Sequence, residues 1–305
     1  MADKSKLPAF YKMVKGDISP REMERICTDS NLAYLYALII AKGRFLEGEA
    51  AIASDPKTAF SYAVHIIKGR FQLGEPEIAK NFDLALNYAI LILRGRFPEA
   101  EPYFEKDAKY AYYYARRVLM GPYPEAEEAI AKSYYYSYVY ARNILGGRFE
   151  LGEPEIAMSG IHSYWYAKNI LNGRFELGEP AIVSDDALRS LDYALYIIRG
   201  RFEMGEKIIS KYAYSSYNYA ISVLKGRFEA GEPAIAEVAK LSYLYAVLIL
   251  RDRFELGEPA INNSSLYKFK YAKNVLKEGL TEDMLTKKLT KWTDDSDIFY
   301  DEEHA

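Results

Sequence analysis

Gly226-Arg227-Phe228-Glu229-Ala230-Gly231-Glu232-Pro233-Ala234-Ile235-Ala236, followed after a short gap by Ser242-Tyr243-Leu244-Tyr245-Ala246-Val247-Leu248-Ile249-Leu250, is one copy of the unit from which this chain is built. Its Tyr-Ala pair recurs at Tyr36, Tyr62, Tyr88, Tyr114, Tyr140, Tyr166, Tyr193, Tyr219, Tyr245 and Tyr271. The interval is 26 residues except between Tyr166 and Tyr193, where one residue is inserted. A fixed period of this kind marks a unit that stacks on its own copies, so function is expected on a repeated surface.

Two helices fit the unit. Proline follows Glu at Pro76, Pro102, Pro154, Pro180, Pro233 and Pro259, and it suits the first helical position because its missing N–H would have no intrahelical partner there. A short leading helix is therefore expected to start at that point. A second helix carries Tyr-Ala and is expected to stop at Gly43, Gly69, Gly95, Gly147, Gly173, Gly200 or Gly226, glycine being suited to a left-handed C-terminal residue. Lys42, Lys68, Arg94, Arg199 and Lys225 precede such glycines and complement the helix C-terminus without any ligand.

At 100° per residue, the Tyr, the Ala, two aliphatics (Ile144 and Leu145, for example), a small residue and an aromatic or Leu share one arc, which reads as the buried face. The small residue is Ala33, Ala59, Ala85, Ala111, Ser137, Ser163, Ser190, Ser216 or Ser242, and Lys268 breaks the run. One helix pair cannot bury such a face alone, so the expected fold is all-α, an α-solenoid of about ten 26-residue two-helix repeats with terminal caps.

Residues 1–30 read as an N-terminal cap with a degenerate repeat at Ile18 to Ile26, and residues 31–280 as the continuous array. Residues 281–305 read as a closing helix (Met284, Leu285, Lys288, Leu289, Trp292) and a solvated acidic tail, Asp294 to Glu303.

Hydrophobic residues make up 50% of the 305 and charged ones 27%, which predicts a packed core rather than disorder. The net charge of -3 neither demands an anionic polymer nor matches a nucleic-acid mimic. Cys27 is the only cysteine, which excludes an intramolecular disulfide or a cysteine-based zinc site and fits a reducing compartment. Met1 to Lys6 is polar and no apolar run is long enough for a bilayer, so a cytoplasmic protein is expected.

The unit resembles a tandem repeat of large tailed bacteriophages and related viruses. In that family Gly-Arg-Phe or Gly-Arg-Trp follows the second helix and Glu-Pro opens the first, as at Gly95-Arg96-Phe97 and Glu101-Pro102. The segment Glu99 to Arg116 carries the closest match. The chain departs from the pattern at Gly121-Pro122-Tyr123, which lacks the Arg, and at Glu278-Gly279-Leu280, which ends the array. The resemblance covers nearly the whole chain and implies a viral accessory protein, acting in the cytoplasm of a bacterial host in counter-defence or takeover of a host component. It brings no catalytic residues with it.

Arg44, Arg70, Arg96, Arg148, Arg174, Arg201, Arg227 and Arg253 could form a phosphate ladder. Each, however, lies five residues before a glutamate: Glu49, Glu75, Glu101, Glu153, Glu179, Glu206, Glu232 and Glu258. Equal numbers of Arg and Glu at one point of every unit favour a structural ion-pair ladder with bidentate geometry. The repeat tyrosines could stack on unpaired bases, but their place beside Ala favours the core, with each hydroxyl reaching a polar partner such as the repeat's Glu. His65, His162 and His304 are too scattered for a ligand set, no nucleophile has a His placed beside it, and carboxylates fall on equivalent positions. Neither an enzyme nor a metal or other cofactor is expected.

The opposite face varies between copies. The residue before each Tyr reads Leu35, Ser61, Asn87, Tyr113, Val139, Trp165, Asp192, Asn218, Leu244, Lys270. Tyr113, Val139 and Trp165 share their face with Arg116, Arg117, Arg142 and Lys168, and Asn143 and Asn169 add amides. Aromatic and Arg residues are enriched at interface hot spots, so these are the candidate partner-binding residues, a solvated face being the plain alternative. Leu35, Leu38, Ile39, Leu244, Val247 and Leu248 add apolar side chains that could meet a partner, the caps or another copy.

The sequence thus points first to a non-enzymatic binding protein that blocks a host protein of a defence or regulatory system. A nucleic-acid or nucleotide binder using the same aromatics and cations is the second reading, and a self-assembling structural protein the third.

Overall fold

The computed structural model describes residues 18–277. The expected closing helix and acidic tail lie outside the described residues. The chain divides after Ile156 into two compact units, and every described segment of both is helical or connecting, so the fold is an all-α, solenoid-like repeat.

In the first unit, a capping box opens the structure. Ser19 caps the helix Pro20–Thr28, and the Glu22 carboxylate accepts the Ser19 backbone N–H at 2.9 Å. A representative repeat then follows. A 3-10 turn, Gln72–Gly74, leads into the short helix Glu75–Ala79, and the Tyr-Ala helix begins with Phe82–Tyr88. Asn81 caps it, its Oδ1 accepting the Leu84 N–H at 3.1 Å, as Asp55 and Asp107 cap theirs. These side chains satisfy amides that have no partner in the first helical turn.

Past the tyrosine the helix loosens to an i→i+5 ladder, Ala89–Leu93, and Arg94 ends it at φ 53°. The same switch occurs at Ala63–Ile67, Ala115–Leu119 and Ala141–Leu145. The left-handed residue is therefore not the expected Gly43, Gly69 or Gly95 but the residue before each: Lys42, Lys68 and Arg94. The widened turn is the physical reason. Lys68 N–H and Gly69 N–H both bond the Ala63 carbonyl, so reversal falls one residue earlier. Among the described residues, only at Gly146 does glycine itself occupy the left-handed position.

The second unit repeats this plan. The 3-10 turn Glu176–Gly178 leads to Glu179–Asp185, then Ala187–Asp192 and the widened turn Tyr193–Ile198, closed by Arg199 at φ 55°. Here too the left-handed positions are Asn172, Arg199 and Lys225, not Gly173, Gly200 and Gly226. The inserted residue is absorbed in the leading helix, which runs seven residues here and five at Glu232–Ala236. In both units that helix starts at the Glu rather than at the Pro, which takes the second position.

The core matches the expected arc in part. Tyr62, Tyr88, Tyr114, Tyr140, Tyr166, Tyr193, Tyr219 and Tyr245 are fully buried, with the Ala after each. The small residues Ala59, Ala85, Ser216 and Ser242 are buried as well. Ile144 and Leu145 are only half-buried. The i→i+5 ladder turns less than 100° per residue, so the helical wheel loses register after Tyr-Ala. The Phe of Gly-Arg-Phe and the Ile of the leading helix fill the core instead, as at Phe71, Phe228, Ile78 and Ile235.

Candidate functional site

Within each unit, Gly-Arg-Phe turns are clamped by the tyrosine of the next helix. In the first unit, Arg44, Arg70, Arg96 and Arg148 place Nε and Nη2 on both oxygens of Glu49, Glu75, Glu101 and Glu153, at 2.6–2.9 Å. The Tyr62, Tyr88 and Tyr114 hydroxyls donate to Glu49, Glu75 and Glu101 at 2.7–3.0 Å. The same hydroxyls accept the Phe45, Phe71 and Phe97 backbone N–H groups at 2.7–2.9 Å. In the second unit, Arg174, Arg201, Arg227 and Arg253 bind Glu179, Glu206, Glu232 and Glu258 in the same forked way, at 2.6–3.1 Å.

This geometry explains the spacing read from sequence. The Arg70 side chain is 50% exposed while Glu75 is 3% exposed, so the guanidinium lids a nearly buried carboxylate. Hydrogen bonds from Arg96 and Arg253 hold the Glu101 and Glu258 carboxyls below the ordinary range. Burial pushes the Tyr62 hydroxyl up to about 12 and raises those of Tyr88, Tyr114, Tyr193 and Tyr245 as well. At Gly121-Pro122-Tyr123, where the Arg is missing, Tyr140 still donates to Glu127 at 2.9 Å, and the Tyr123 N–H still bonds Tyr140 at 2.8 Å. Fully buried rings offer no face to a base, so these tyrosines form no stacking platform.

The variable face divides by position. Of the residues just before Tyr, Tyr113, Val139 and Leu244 are half-buried, whereas Asn87 and Asn218 are exposed and Trp165 is 40% exposed. The exposed cations stand two and three residues after the Tyr, where the widened turn carries them outward: Arg116, Arg117 and Arg142 in the first unit and Lys168 in the second. Of the apolar candidates, Leu38 and Leu248 are exposed, while Leu35, Ile39 and Val247 are half-buried.

In the first unit, aromatic rings set the arginines. Arg117 lies 5.6 Å from the Tyr113 ring centroid. The Arg116 Nη1 donates to the Tyr112 hydroxyl at 3.0 Å, and Asn143, one repeat on, donates to that hydroxyl at 2.8 Å. Arg142 Nη1 reaches the Tyr138 hydroxyl at 3.4 Å. Tyr112 and Tyr138 are buried supports for these exposed heads. Sequence reading placed this position, the aromatic or Leu two residues before the repeat Tyr, on the buried face, but not as a support for the arginines. Among the described residues, Arg116, Arg117 and Arg142 make no ion pair, in contrast to the clamped ladder arginines.

In the second unit, Lys168 sits among three rings, 5.5 Å from Tyr164, 5.7 Å from Trp165 and 5.6 Å from Tyr196. Burial raises the nearby Asp192 carboxyl, which Lys168 and Arg189 oppose.

Among the described residues, no group of three or more His, Cys, Asp or Glu could hold a metal ion, and no helix is long and apolar enough to cross a membrane. His65 instead meets the Tyr34 hydroxyl at 3.0 Å through Nδ1. No family model, curated protein or solved structure matches the chain.

Proposed function

We propose that this chain is a non-enzymatic repeat protein that captures a protein partner through the exposed aromatic–cationic positions of its Tyr-Ala helices. One observation carries the reading: the ladder arginines are each forked onto a glutamate, yet Arg116, Arg117 and Arg142 are exposed, set against tyrosine rings or hydroxyls and left without a carboxylate. Pre-oriented guanidinium groups with aromatic neighbours are the usual anchors of protein interfaces. Lys168 and Trp165 supply the corresponding groups of the second unit. The chain acts by occupancy, with no bond made or broken. The sequence resemblance makes the partner a bacterial host protein of defence or regulation and the chain a phage accessory protein.

The test is capture from nuclease-treated bacterial lysate by the tagged chain, compared with Trp165→Ala/Arg142→Glu. Capture by wild type alone, with unchanged melting of the variant, supports the reading. Capture that appears only when nuclease is omitted moves the assignment to nucleic acid.

A further inference from the structure

We infer that the arginine cluster of the first unit binds a short acidic segment with an apolar centre, and that the chain carries such a ligand itself in Asp294–Glu303. The inference rests on the proposed binding face and names what that face takes.

Three observations define the ligand. Arg116 and Arg142 each place a single guanidinium nitrogen on a tyrosine hydroxyl, and a guanidinium has five donors. Most of each fork therefore remains open to carboxylates. Next, within the first unit the cations two and three residues after the repeat Tyr are confined to its last two Tyr-Ala helices. The equivalent positions in the preceding repeats are Val64 and His65, then Ile90 and Leu91. A long polyanion would run on over positions that offer it no charge, whereas a short acidic segment matches the footprint. Lastly, the neighbouring surface is apolar, since Leu91 is 56% exposed and Tyr113 is half-buried beside Arg117.

The C-terminal segment has the complementary pattern. Asp294, Asp295 and Asp297 precede Ile298-Phe299-Tyr300, and Asp301, Glu302 and Glu303 follow, with no Lys or Arg among them. Carboxylates on both sides of an apolar triplet meet guanidinium groups beside Tyr113 and Leu91. The tail read from sequence as a solvated end thus becomes a ligand for this surface on a second copy of the chain, and it competes with any partner that uses the same arginines.

The experiment measures fluorescence anisotropy of a labelled peptide, Lys291 to Ala305, titrated with the full-length chain. To free the site, the titrant carries Asp294→Asn, Asp295→Asn, Asp297→Asn, Asp301→Asn, Glu302→Gln and Glu303→Gln. Saturable binding is expected, at least about tenfold weaker when Arg116→Glu and Arg142→Glu are added, and weaker again to the chain with its native tail. Arg116→Gln with Arg142→Gln, checked by an unchanged melting curve, gives the same loss without charge reversal. Absence of binding, or binding unaffected by these changes, overturns the inference. So does loss on Lys268→Glu/Lys270→Glu/Lys273→Glu instead. A chain that ignores the peptide yet captures a partner through Arg142 overturns this inference and leaves the proposed function standing; peptide binding without partner capture does the reverse.

Discussion

The Tyr88 hydroxyl donates to Glu75 Oε1 at 3.0 Å across thirteen residues of chain. The same hydroxyl accepts the Phe71 N–H, while the Tyr88 ring packs on Phe97 at a centroid distance of 5.3 Å. One side chain thereby touches the turn before its helix and the turn after it. This accounts for the Tyr-Ala period: Tyr62 and Tyr88 in the first unit and Tyr193, Tyr219 and Tyr245 in the second each couple successive Gly-Arg-Phe turns, the nearest-neighbour interaction that stabilises a repeat array.

Tyr88→Phe keeps the ring and deletes the hydroxyl, leaving the buried Phe71 N–H without its acceptor. A loss of about 1–3 kcal/mol is expected, read by urea unfolding monitored by circular dichroism. A change near zero would show that water replaces the hydroxyl.

The ladder depends on the fork as well as the charge. Arg70→Lys retains a cation but cannot engage both oxygens of Glu75, so melting temperatures should order wild type above Arg70→Lys above Arg70→Ala. Equal melting of wild type and Arg70→Lys would mean that charge alone suffices.

Stability should have an alkaline limit set by the buried hydroxyls. The Tyr62 hydroxyl titrates near 10 when unfolded and at about 12 when folded. A value raised in the folded state gives stability that is complete below about pH 10 and lost as pH climbs through about 12. The lowered Glu101 and Glu258 carboxyls act oppositely, their contribution being complete above about pH 4.3 and lost as pH falls. Melting temperature should plateau between these limits, and Tyr62→Phe should flatten the alkaline decline; an unchanged alkaline decline in that variant would contradict the assignment.

Two glycines of one repeat should respond differently. A Cβ at Gly231 would lie 2.5 Å from Phe228 Cδ1 and 2.6 Å from Ser216 Cβ, whereas one at Gly226 meets only Leu224 O at 3.7 Å. Gly231→Ala should cost about 1–3 kcal/mol and Gly226→Ala no more than about 0.5 kcal/mol. Comparable losses in denaturant unfolding would contradict this packing.

Sequence reading reached the helix pairs, the ladder partners and the buried tyrosines because each is carried by spacing that recurs. It misplaced the helix ends because the i→i+5 turn after Tyr-Ala has no composition signal, so Gly69 drew the left-handed assignment that belongs to Lys68. The same turn left Ile144 and Leu145 half-buried and moved the most exposed face from Tyr113 and Val139 to Arg116, Arg117 and Arg142. The supporting hydroxyls of Tyr112 and Tyr138 were hidden for a different reason: their roles depend on contacts that vary between copies, Arg116 and Asn143 meeting Tyr112, Arg142 meeting Tyr138 and Asn274 meeting Tyr243. Periodicity reveals what every repeat shares; a binding face lies where repeats differ.

The most direct test compares partner capture by wild type, Arg116→Glu/Arg142→Glu and Arg70→Lys from one nuclease-treated lysate, with melting curves for all three. Binding by the exposed arginines predicts that Arg116→Glu/Arg142→Glu captures nothing while melting as wild type does, and that Arg70→Lys captures normally despite a lower melting temperature. Capture retained by Arg116→Glu/Arg142→Glu would contradict the account.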